Sequence, residues 1–288
     1  MKKGKGKKKM NVLKIAAFSD GSTGGNPAGV MVTSKFPSDG EMQRIAAEVG
    51  FSETVFAVPA GAGWRARYFS PESEVPFCGH ATIALGAALA LQHGDGVFAL
   101  SLNKADITVE GRRNGDTIAA ALQSPPTRSQ AAPEALVRAT LELFGYGQAD
   151  LDPRIAPALA HGGADHLVLV LNSREKLAAM QYDLAKGREL MNKAGLVTIL
   201  LAYAQTPRLF HTRNPFASGG VYEDPATGAA TAAFAGYLRD LDWPHGGAID
   251  IVQGEDMGMR SRLHAEIPPT PGASIKVSGT ARIMHELA

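Results

Sequence analysis

Four side chains in this sequence sit where their type and spacing could do chemistry: Glu53, Cys78, His80 and Asp224. Glu53 lies in Ser52-Glu53-Thr54, just ahead of the strand-like run VFAV. A solvated loop glutamate would do nothing there. One held in a dry pocket can exchange protons with a carbon acid near neutral pH. Cys78-Gly79-His80 opens a long apolar segment. The thiol is a candidate nucleophile if a base stands beside it, and a buried packing group otherwise. His80 is either a substrate ligand or a cap on the end of the fold. Asp224-Pro225 reads as a helix N-cap followed by the first helical residue. Thr227-Gly228-Ala229 follows, and Gly228 leaves first-turn N–H groups uncovered, which attract a carboxylate or phosphate.

These residues lie in two stretches that echo each other. Arg67–Thr82 (RYFSPESEVPFCGHAT) and Arg213–Thr227 (RNPFASGGVYEDPAT) both run from an arginine through aromatic, Pro and Gly residues to Ala-Thr. Aligning the Ala-Thr pairs sets Gly79 against Asp224 and His80 against Pro225. Each stretch opens a run of small apolar residues, HATIALGAALALQ (80–92) and ATGAATAAFAGYL (226–238), without a charge. A helix apolar on every side must be buried on every side. Thirteen residues are too few for a bilayer span. Strands wrapped around each helix, or a helix between α/β layers, would satisfy both. The echo predicts two matched half-structures with a site between the two helix starts.

Strand patterns fall at 12–18, 29–33, 54–58, 64–69, 97–102, 106–110 and 117–122 in the first half. In the second they fall at 166–171, 197–204, 208–212, 248–253, 261–267 and 274–283. Helices are expected at 39–49, where Met42, Ile45, Ala46 and Val49 share a face, at 133–143, and at 173–193 in one or two pieces. Ser124–Gln130, with two prolines, reads as a linker.

The chain has 288 residues, enough for one large or two ordinary domains. Its net charge of +1 is set by the first nine residues, which hold six lysines. Without them, 23 basic residues face 28 acidic ones, a net −5. A mildly acidic body argues against nucleic acid as a partner. Residues 1–9 read as a disordered basic tail or tag, with Met10 as the native start. No apolar run is long enough for a membrane span. One cysteine allows no intrachain disulfide. A cytoplasmic protein follows. The eight histidines form no HxH or HxxxH pair, so no metal is expected. Gly24-Gly25-Asn26-Pro27 reads as a tight turn. It has neither the spacing of a dinucleotide loop nor a following phosphate-loop lysine.

Five segments in order, GGNPAGVMV (24–32), GFSETVF (50–56), RYFSPESEVPFCGHATIALG (67–86), GVYEDPATGAATAAFAGYL (220–238) and VQGEDMGMRSRL (252–263), resemble the PhzF-like phenazine-biosynthesis isomerases. That family shares its fold with diaminopimelate epimerase. The resemblance spans residue 12 to about 284. It implies an α+β fold of two pseudo-symmetric domains, each a β-barrel wrapped around a central apolar helix. The expected division is 10–123 plus about 279–288, and 124–278. It also implies a homodimer, no cofactor and a small carboxylate-bearing substrate.

Racemases of this fold use two cysteines, and one cysteine excludes that chemistry on count. Their thiol positions resemble Gly79 and Asp224 here. The resemblance makes Glu53 the single general acid/base of an isomerisation. His80, Asp224, Gly79, Gly228, Ala229 and Asn26 form the implied substrate-binding set. Phenazine-pathway members often carry Ser at the position of Ala229. That departure bears on a dihydro-hydroxyanthranilate substrate more than on the fold or the base. Two other readings remain: a non-catalytic small-molecule or protein-binding member of the fold, and a one-cysteine epimerase using Cys78.

Overall fold

The computed structural model describes residues 12–115 and 117–284. The basic tail at 1–9 and the last four residues lie outside the described residues. The first half runs β1 (Leu13–Ser19), β2 (Asn26–Val32), α1 (Asp39–Val49), β3 (Thr54–Ala60), β4 (Gly63–Phe69), β5 (Glu74–Val75), α2 (Gly79–His93), β6 (Gly96–Ser101), β7 (Asp106–Asn114) and β8 (Thr117–Pro126). After β9 (Arg128–Ala131) and α3 (Glu134–Phe144), the same order returns. It runs β10 (Ala158–His161), β11 (Asp165–Leu171), α4 (Arg174–Ala178), α5 (Leu184–Ala194), β12 (Thr198–Thr206) and β13 (Leu209–Phe216). It ends with β14 (Val221–Asp224), α6 (Gly228–Asp240), β15 (Ala248–Gln253), β16 (Ser261–Glu266) and β17 (Ser274–Ile283).

Pairing repeats with the order. β2 and β3 are parallel across the α1 crossover, as β11 and β12 are across α4 and α5. β4 and β6 are parallel across α2, as β13 and β15 are across α6. The first set closes into a ring, β1-β2-β3-β4-β6-β7-β8-β17 and back to β1. The second runs β9-β10-β11-β12-β13-β15-β16-β17. The last strand therefore serves both barrels. Its Lys276–Ser278 pair with β16 and its Thr280–Ile283 with β1.

Each set of strands wraps one of the apolar helices. Every residue from Gly79 to Ala90 and from Gly228 to Arg239 is buried. Small side chains make this possible. A Cβ on Gly111 of β7 would stand 2.2 Å from the Gly86 carbonyl oxygen in α2, so the strand backbone touches the helix backbone. The arginine that opens each echoed stretch has a matching role. Arg67 makes a two-pronged pair with Glu74, at 2.8 and 2.6 Å, tying β4 to β5. Arg213 does the same with Glu223, at 2.9 and 2.5 Å, tying β13 to β14.

Two expectations need correction. Asp224 is not a helix cap: it ends β14, opposite Asn214, and α6 starts at Gly228 with Thr227 as its N-cap. The Asp224 carboxylate is turned to other partners, with Asn26 donating to one oxygen and Thr227 to the other. Ser124–Gln130 is not a linker either. It is the end of β8 and the start of β9, stitched by Thr127 N–H to Gly272 O at 3.1 Å and by Ile275 N–H to Ser124 Oγ at 2.9 Å. The 173–193 stretch takes the two-piece form of the expectation, α4 and α5, each capped by the side chain before it, Ser173 and Asp183.

Candidate active site

The two central helices point their N-termini at one another. Gly79, first residue of α2, lies so close to α6 that a Cβ on it would be 3.3 Å from Gly228 Cα and from Ala229 N. The N-cap residues, Cys78 and Thr227, make no side-chain bond to the turn they precede, and neither first turn holds an acid. Two sets of first-turn N–H groups and two positive helix ends therefore converge. The floor under Gly228 is the ring of Phe18, which sits at a bulge in β1 with φ of 59°. A bulky residue in the left-handed region costs about 1–2 kcal/mol, so the surrounding packing must hold it there.

A cavity of about 80 Å³ fills the gap. Glu53, Cys78, His80, Asp224, Thr227 and the backbone of Gly79, Gly228 and Ala229 line it, with Phe77, Phe216 and Val197 as apolar wall. A larger groove of about 870 Å³ crosses β8, β16 and β17, but it is open and lined by paired surface charges such as Glu110 and Lys276. The small cavity instead brings together the buried Glu53, Cys78, His80, His166 and Asp224.

Glu53 ends the loop before β3 and is 7 % exposed. Its Oε2 stands 3.4 Å from His80 Nε2, and no hydrogen bond fills it among the described residues. Ser52 Oγ lies 3.3 Å from the same nitrogen, and Cys78 Sγ lies 3.3 Å from His80 Nδ1. His80 thus bridges the thiol and the carboxylate. Ligand atoms of Glu53, Cys78 and His80 fall within 4.8 Å of one another, a grouping the sequence spacing hid. Burial, and then the neighbouring Glu53 charge, push the Cys78 thiol well above its usual range. A thiol so held is a poor source of the thiolate that a metal or a nucleophilic mechanism needs.

Asp224 faces this trio from the other barrel. Burial lifts its carboxyl to about 6, with the charge of Glu53 adding to the rise. His80 and the bonds from Thr227 and Asn26 pull the other way. Asn26 Nδ2 donates to Asp224 Oδ1 at 2.7 Å and to Ala226 O at 3.0 Å. Thr227 Oγ1 donates to Asp224 Oδ2 at 2.6 Å. Gln253 Nε2 donates to Asp224 O at 2.7 Å and its Oε1 accepts from Thr227 N at 3.1 Å.

The structure therefore gathers Glu53, His80, Gly79, Asp224, Gly228 and Ala229 around one cavity. Asn26 stands behind Asp224 and does not line it. Gln253 and Phe18 escaped sequence reasoning, as did His166, which lines the cavity from β11. Gln253 lay inside a recognised segment. Its role arises only where β15 passes the α6 start.

The family model described as phenazine biosynthesis-like protein, PhzC-PhzF, matches residues 15–286. An uncharacterized isomerase of Mesorhizobium japonicum is 30% identical, covering 94% of this chain and 95% of that protein. A trans-2,3-dihydro-3-hydroxyanthranilate isomerase of Pseudomonas fluorescens is also 30% identical, covering 89% and 90%. A solved structure from Pseudomonas aeruginosa, described as a predicted epimerase, superposes with a TM-score of 0.83 at 25% identity, covering 95% and 96%.

Proposed function

We propose a one-base proton transfer for this chain, which belongs to the PhzC-PhzF family of phenazine biosynthesis-like proteins and is an isomerase like its curated relatives. In this reading Glu53 takes a proton from one carbon of a small carboxylate-bearing metabolite. It returns that proton to another carbon on the same face. The observation that carries the reading is the lone buried carboxylate oxygen of Glu53, in van der Waals reach of His80 and facing two uncapped helix starts.

The division of labour follows from charge. The substrate carboxylate takes the N–H groups around Gly228 and Ala229, and the positive helix ends draw electron density toward them. Negative charge spreads toward the carboxylate as the carbon loses its proton, so the same donors stabilise the transition state. His80 holds the Glu53 carboxylate in position. Asp224, fixed by Asn26, Thr227 and Gln253, takes a polar substituent from the opposite wall. Both walls narrow the access of water to the reacting carbon, while the proton held on Glu53 exchanges with solvent before it is returned.

No group of the cavity acts as a second base on the opposite face in this scheme. A two-base racemisation would need one there. The reading includes a cytoplasmic homodimer. It also divides the chain into residues 10–123 with about 279–288, and residues 124–278.

A screen of cyclic and amino carboxylates in D2O, read by NMR, tests it. Deuterium entering a ring or side-chain carbon, with a double bond or hydrogen displaced, is expected for at least one compound. Binding without exchange across the panel would favour a non-catalytic role.

A further inference from the structure

We propose that His166 determines specificity in this cavity by accepting, at Nε2, a hydrogen bond from an amino or hydroxyl group of the substrate. The proposal rests on the reading of the cavity as a substrate site.

His166 opens the buried part of β11, where parallel pairing sets it beside Thr198 of β12. Its Nδ1 lies 2.8 Å from Thr198 Oγ1. Thr198 Oγ1 in turn donates to Asn214 Oδ1, at 3.4 Å. A hydroxyl has one proton to give. In the proposed tautomer the Thr198 hydroxyl proton is given to Asn214, and Nδ1 supplies the proton between His166 and Thr198. Nε2 is then left with its lone pair, and it has no partner among the described residues. Burial drives the imidazole down to about 3, so it is neutral at ordinary pH. His166 is 1 % exposed, and Phe77, Phe216 and Val197 share its cavity.

An acceptor unpaired in such a wall costs about 1–3 kcal/mol. A substrate donor relieves that cost. A substrate without one leaves it standing, which is how a buried polar group discriminates. Pseudo-symmetry shows that the group belongs to one wall alone. Val197-Thr198 at the start of β12 corresponds to Glu53-Thr54 at the start of β3. The residue paired with Thr54 is Gly29, where a Cβ would meet Thr54 Oγ1 at 2.6 Å. The first barrel thus supplies the carboxylate and no histidine at this level. The second supplies the histidine and a valine in place of the carboxylate.

The test uses a flat, nearly isosteric pair of probes, pyrrole-2-carboxylate, which carries an N–H donor, and furan-2-carboxylate, which does not. Calorimetry should show the wild type binding the pyrrole about tenfold tighter, the scale of one buried hydrogen bond. His166→Phe should bring the ratio near one. Two-bond 1H–15N NMR of the wild type should show Nε2 unprotonated and its resonance moving on addition of the pyrrole. This readout needs no variant and decides the matter if His166→Phe does not fold. A protonated Nε2, a wild-type ratio near one, or a ratio that survives in His166→Phe overturns the proposal. The same ratio measured in Glu53→Gln should be unchanged, so loss of the Glu53 mechanism leaves this result standing. Failure of both probes to bind would overturn both the His166 proposal and the carboxylate site on which it rests.

Discussion

Gly79 and Gly228 meet across the two barrels, with room at Gly79 for a hydrogen but only 3.3 Å from the place of its absent Cβ to Gly228 Cα. That contact brings two helix starts together and sets the width of the cavity. The nearest atoms are backbone, so they yield only if a helix moves.

Gly79→Ala should therefore separate function from stability. Alanine favours a helix over glycine by up to about 1 kcal/mol, which offsets part of the wedge. Proton-exchange activity should fall tenfold or more while the urea midpoint changes little. Activity within twofold of wild type would show that the helix starts do not set the geometry.

The paired arginines predict unequal costs for the same substitution. Arg213 and Glu223 are both buried, and Arg213 Nη1 also donates to Ala178 O at 2.7 Å. Arg67 and Glu74 are partly open to water. Lysine keeps the charge but loses the two-pronged geometry. Arg213→Lys should cost about 2–4 kcal/mol and Arg67→Lys about 1 or less, by chemical denaturation. Equal costs would contradict this.

Asp224 should make stability depend on pH in a defined window. Its carboxyl stands at about 6 in the fold, against roughly 3.9 in an unfolded chain. Between those values the unfolded chain holds fewer protons, so stability falls as pH rises; below roughly pH 4 both states are protonated and the penalty is gone. Asp224→Asn removes the charge. Its stability relative to wild type should improve by about 2–3 kcal/mol from pH 4 to pH 7. A difference that does not change with pH would rule this out.

Cys78 should behave as a packing thiol. Burial and Glu53 hold it protonated. Iodoacetamide at pH 7.5 should label it slowly in the native protein, and Cys78→Ala should keep exchange activity within about tenfold. Rapid labelling with loss of activity would revive a thiol mechanism.

The elements that position the site were legible where local pattern decides them. α1 spans Asp39–Val49 as its apolar face predicts, and the two uncharged helices are enclosed as their composition demands. Asp224-Pro225 misled because an Asp-Pro pair looks the same whether its carboxylate caps a helix or is taken by a distant asparagine. Asn26, whose amide settles the matter, lies 198 residues away in sequence. His166 was invisible for a related reason. One histidine in an apolar strand signals nothing until Thr198, set beside it by sheet pairing, takes its Nδ1 and leaves Nε2 without a partner among the described residues. The prolines of Ser124–Gln130 read as a linker because sequence does not show the β17 edge that receives them.

The central claim is that Glu53 alone carries the proton. Glu53→Gln keeps the shape of the side chain and removes the base. With any carboxylate that the wild type exchanges, deuterium incorporation from D2O should fall about 1,000-fold or more, with the denaturation midpoint nearly unchanged. Exchange that continues undiminished in a folded Glu53→Gln protein would contradict the account.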